Sequence, residues 1–154
     1  MSSRNVLLAD AIVARLNGAP GGTFVVPFVS RSVMIPYLEI EKATALAVLV
    51  AFGSDLVEGP YTRAQRLHTI TPQVIVVSPV AAPTDANLPY ERTTAVDQLI
   101  ELAEQIADYM PTGLALGSNE AKISNALADP IYDPDELQMK RRFLSVIRLT
   151  ALTT

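Results

Sequence analysis

Ala45-Leu-Ala-Val-Leu-Val-Ala-Phe52 is the stretch that decides the fold. Leu46, Val48, Val50 and Phe52 fall on one side of an extended chain, and Ala45, Ala47, Leu49 and Ala51 on the other. Both sets are apolar, which describes a central strand buried on two faces, and the small residues on one side let a helix pack closely. The run is far below the ~18–20 apolar residues a membrane-crossing helix needs. Past it, Gly53-Ser-Asp and a polar connection through Gly59-Pro60 lead to Leu67–Ser78, with Val74-Ile-Val-Val77 at its centre. This is a second strong strand signal, and the two are expected to pair antiparallel across a long loop. Before the run, Thr23–Val29 and Val33–Ile40 also read as extended, but they contain Pro27 and Pro36. A proline removes a ladder donor, so both are expected at an edge or a bulge.

Helices are predicted on either side of this group. Val6, Ala9, Ile12, Val13 and Leu16 keep three- and four-residue spacing over Ser3–Leu16, Asn17-Gly18 supplies a C-terminal stop, and Gly18-Ala-Pro-Gly-Gly22 is a loop by composition. A second helix is predicted over Arg92–Met110, where Val96, Leu99, Ile100, Ala103, Ile106 and Met110 make an apolar stripe that Thr93 or Thr94 can cap. Pro111 and Gly113 end it. The stretch around Gly117-Ser-Asn-Glu120 reads as a loop and Asp129-Pro-Ile-Tyr-Asp-Pro134 as a turn. Phe143–Leu152 alternates cleanly enough for a long terminal strand. Together these segments predict one α+β domain over residues 1–154, a mixed, largely antiparallel sheet flanked by an N-terminal and a central amphipathic helix.

Composition narrows the function classes. With 49% hydrophobic and 18% charged residues the chain is too apolar for intrinsic disorder. A net charge of −4 gives no overall electrostatic case for wrapping nucleic acid. The sequence has no cysteine, so disulfides, thiolate metal sites and thiol nucleophiles are excluded. The N-terminal residues do not resemble a secretory signal, and neither membrane insertion nor a bound cofactor is expected.

No phosphate-binding loop, dinucleotide glycine pattern, zinc-protease helix motif or nucleophile elbow is present. His68, the single histidine, has only carboxylates for company as metal ligands and is read as structural. Asp129, Asp133, Asp135 and Glu136 form the densest acidic group, but prolines break the spacing a calcium loop needs, so turn chemistry is the reading. No catalytic residue, cofactor site or metal site follows from the sequence, and the chain is expected not to be an enzyme.

Charge patterning is more informative. Asp97, Glu101, Glu104 and Asp108 recur at spacings of four, three and four, which places four carboxylates on one stripe of the central helix, away from its apolar face. Each like-charge pair four apart costs about 0.2–0.5 kcal/mol in an isolated helix, so a solvated face or a basic partner has to offset it. Lys140-Arg141-Arg142 supplies a basic group immediately before the terminal strand. In a ring of identical subunits the basic group of one copy meets the acidic stripe of the next, since a head-to-tail interface joins two different surfaces.

The layout as a whole, carried by Val6–Leu16, Leu67–Ser78, Val96–Met110 and Arg142-Phe-Leu-Ser-Val-Ile-Arg-Leu-Thr150, resembles the small tail terminator and tail completion (head-tail joining) proteins of tailed bacteriophages. The resemblance implies a non-enzymatic virion subunit, assembled in the host cytoplasm into a hexameric ring that caps the tail tube and docks to the head connector or neck. Under it, DNA passes through the lumen without specific binding, and the acidic stripe has a second use in repelling phosphates there. The loop from Gly53 to Arg66, with Arg63 and Arg66, becomes a docking element. The alternatives are another neck or head-tail adaptor protein, and a small-molecule-binding or enzymatic domain built from Pro79–Pro89 and Asp129–Pro134.

Overall fold

The computed structural model describes residues 3–33, 45–58, 67–80, 94–116, 119–129, 133 and 141–153. Its centre is a long bent hairpin. The double-faced apolar run forms β2 (Ala47–Ala51), whose chain continues into β3 (Asp55–Glu58); the return arm is β4 (Leu67–Ile70) followed by β5 (Gln73–Pro79). β2 pairs antiparallel with β5, Leu49 opposite Ile75, and β3 with β4, Val57 opposite His68.

Between the two pairings, Phe52-Gly53-Ser54 faces only Thr71-Pro72, an extra residue that makes a bulge and bends the arm. Gly53 is required there by contact: a Cβ on it would lie 1.8 Å from the Thr71 carbonyl oxygen. The Thr71 N–H donates to the Ser54 carbonyl at 3.1 Å, and the two hydroxyls meet at 3.0 Å. The predicted Leu67–Ser78 strand is thus two collinear segments. Both pair with the terminal strand β8 (Arg142–Thr153) in one register, Ile70 opposite Ala151 and Gln73 opposite Arg148. Between them the Leu149 N–H donates to the Pro72 carbonyl at 2.9 Å, and the proline has no N–H to return.

The rest of the sheet is built on these arms. β1 (Ser30–Val33) runs parallel to β2, Ser30 opposite Val48, which makes the sheet mixed. On the other edge of β8 lies β7 (Asn119–Ala128), paired in turn with β6 (Gly113–Leu116). Asn119 and Glu120, read as part of a loop, are therefore the first residues of β7, while 117 and 118 lie outside the described residues. The expected strand over Thr23–Val29 is absent, because Gly21, Gly22 with its φ of 88°, and the flanking prolines turn the chain, and Phe24 stacks instead on Phe28 and Tyr109 with ring centres 5.0 and 5.4 Å away. Of Val33–Ile40, only Val33 lies within the described residues.

Both helices cover one face of the curled sheet. α1 (Arg4–Asn17) starts at Ser3, whose Oγ accepts from the Val6 N–H at 3.2 Å, a cap worth about 1 kcal/mol, and stops where the Gly18 N–H donates to Ala14. Its buried stripe is Leu8, Ala9, Ile12 and Leu16, with Val6 left exposed. α2 (Thr94–Tyr109) buries Val96, Leu99, Leu102, Ala103 and Ile106 in the same core as Val48, Val50, Val74, Val76, Phe143, Ile147 and Leu149. The opposite sheet face has its own cluster, Leu49, Ala51, Ile75 and Val77 with Ala47 and Leu144 beside it. No helix among the described residues is long and apolar enough to cross a membrane.

Candidate functional site

The acidic stripe lies where helical periodicity puts it. α2 packs against β7 and β8 through its apolar side, so Glu101, Glu104 and Asp108 face outward and are exposed, with Asp97 partly covered and engaged by a neighbouring group. Among the described residues Glu101, Glu104 and Asp108 form no ion pair. α2 contains no lysine or arginine of its own, and the cation that meets its C-terminal end is Arg15 of α1, which donates to the Tyr109 carbonyl at 2.7 Å. The outer face of the helix therefore carries the carboxylates of Glu101, Glu104 and Asp108 and no cation from its own sequence.

Of the basic group, Arg142 sits on the other side of the sheet. Phe143 is fully buried under the helices, and side chains alternate along a strand, so Arg142 projects to the face that the helices do not cover. Arg141 precedes it with a left-handed φ of 53°, a conformation that costs a non-glycine residue about 1 kcal/mol, and its carbonyl accepts from the Val80 N–H at 2.8 Å. Both arginines are half-buried and engaged. Lys140, Arg63 and Arg66 lie outside the described residues. Within one chain the acidic stripe and Arg142 thus face apart across the sheet thickness.

One expectation about loops needs correction. The connection from Gly53 to Arg66 is not a loop throughout, since Asp55–Glu58 is β3, laddered to β4, with the Leu56 side chain 59% exposed. The acid-rich segment follows the edge of β8 where it is described: the Asp129 N–H donates to Val146 and the Asp133 N–H to Leu144, both at 2.9 Å. Asp135 and Glu136 lie outside the described residues, and no cluster of three metal-ligating side chains occurs among those described.

His68 is buried on β4, and its Nδ1 lies 2.9 and 3.2 Å from the two carboxylate oxygens of Asp55. A carboxylate only accepts, so Nδ1 carries the proton and the pair ties β3 to β4. The sequence reading did not pair these two residues, because the bulge at Gly53 sets their register.

Sequence reasoning also passed over the outer face of β7 and β8. There Lys122 is exposed opposite Leu152, and Arg148 is exposed opposite Leu127, itself 53% exposed, with Glu120 and Asp129 at the two ends of β7. An open groove of about 570 Å³ runs past Lys122, lined by Leu67, Pro111, Thr112, Ser124 and Leu152. The available signal was the alternation of Ala121 and Ile123 with Glu120, Lys122 and Ser124. No protein-family model matches the chain, and no curated protein matches it.

Proposed function

We propose that the chain is a non-enzymatic structural subunit of a phage virion, a tail terminator that forms a ring, hexameric in the proteins it resembles, between the tail tube and the head connector. The observation that carries this reading is the disposition of charge. An exposed face of α2 with no cation of its own sequence stands on one side of the sheet, and Arg142 at the start of β8 stands on the other. Surfaces of opposite sign on opposite sides of a subunit suit a head-to-tail contact, in which the stripe of one copy meets residues 140–142 of the next. A ring built this way needs no cofactor and no catalytic group.

Charge reversal tests it. Changing Glu101, Glu104 and Asp108 to lysine, or Lys140, Arg141 and Arg142 to glutamate, should each weaken assembly measured by sedimentation at low ionic strength. Combining both sets in one chain should restore it, and electron microscopy of the restored species should show closed rings. A combined variant that assembles no better than either single set contradicts the proposed contact; a wild-type chain that remains a single subunit at every concentration contradicts the ring itself.

A further inference from the structure

We draw no further inference here: the strongest candidate, the outer face of β7 and β8 with its open groove beside Lys122 and the exposed Leu127, carries nothing because Glu120 and Asp129 offset the charges of Lys122 and Arg148 and nothing in the structure shows what covers that face.

Discussion

α1 and α2 are the same device on their inner sides and different devices on their outer sides. Each buries an aliphatic stripe in one shared core under the same sheet face. Three polar side chains of α1, Asp10, Arg15 and Asn17, make bonds inside the molecule. The Asn17 amide donates to the Ser30 carbonyl at 3.2 Å and its oxygen accepts from the Ser30 N–H at 2.9 Å, and the Ser32 hydroxyl reaches Asp10 at 3.3 Å. Arg15 donates to the Tyr109 carbonyl at 2.7 Å with its guanidinium carbon 4.0 Å from the centre of that ring. In α2, Gln105 accepts from the Val25 N–H at 2.8 Å, Tyr109 receives Arg15, and Asp97 is engaged by a neighbouring group. Its carboxylates at 101, 104 and 108 have no such duty. A helix whose charged residues hold its own fold is a structural part, whereas one whose carboxylates at 101, 104 and 108 form no ion pair among the described residues presents those three outward.

The comparison can be broken most severely from the inner side. Ile12→Ala in α1 and Ile106→Ala in α2 should each cost about 2–5 kcal/mol in denaturant unfolding, since both side chains are fully buried in the same cluster. A cost below about 1 kcal/mol for either one would mean that helix is not a wall of the core.

Next in size is the outer face of α1. Asn17→Ala leaves the N–H and carbonyl of Ser30, a residue only 3% exposed, without their partner, and should cost about 1–3 kcal/mol with no dependence on salt. Unchanged thermal stability would show that the clamp between α1 and β1 is dispensable.

The smallest effect is expected on the outer face of α2, and with the opposite sign. Glu101→Gln and Glu104→Gln each remove like-charge repulsion within the stripe and should leave the isolated subunit as stable or up to about 0.5 kcal/mol more so. The gain should fade as added salt screens exposed charges. Destabilisation by either substitution would mean that the carboxylates bond within their own chain, and the contrast between the helices would fall.

The strongly periodic segments were legible in the sequence. Ala45–Phe52 and Val74–Val77 are apolar on both faces of an extended chain, Phe143–Leu152 alternates along a longer run, and Val96–Met110 repeats every three to four, patterns that mark strands and a helix without tertiary information. What failed was local propensity against special geometry. Thr23–Val29 has strand-forming side chains, yet Pro20, Gly21 and Gly22 before it and Pro27 within it turn the chain, and tertiary contacts claim Phe24 and Phe28. β7 was missed because a bulge between Ile123 and Asn125 breaks its alternation midway, moving Ala126 onto the face that Ile123 occupied. At the candidate site, the stripe on α2 followed from helical spacing alone. The position of Arg142 across the sheet did not, since it depends on which face of β8 the helices cover.

That relation across the sheet is also what one measurement can address most directly. The chain has no cysteine, so two single variants, Glu104→Cys and Arg142→Cys, each introduce a unique thiol. Within one chain the two positions face opposite ways, and a disulfide requires α-carbons within about 7 Å, so cross-linking between them reports only contact between copies. Mild oxidation of a mixture of the two variants should give a linked heterodimer on a non-reducing gel, in excess of either homodimer. A mixture that yields only monomers, or homodimers alone, would contradict the head-to-tail contact of the acidic helix with the start of β8.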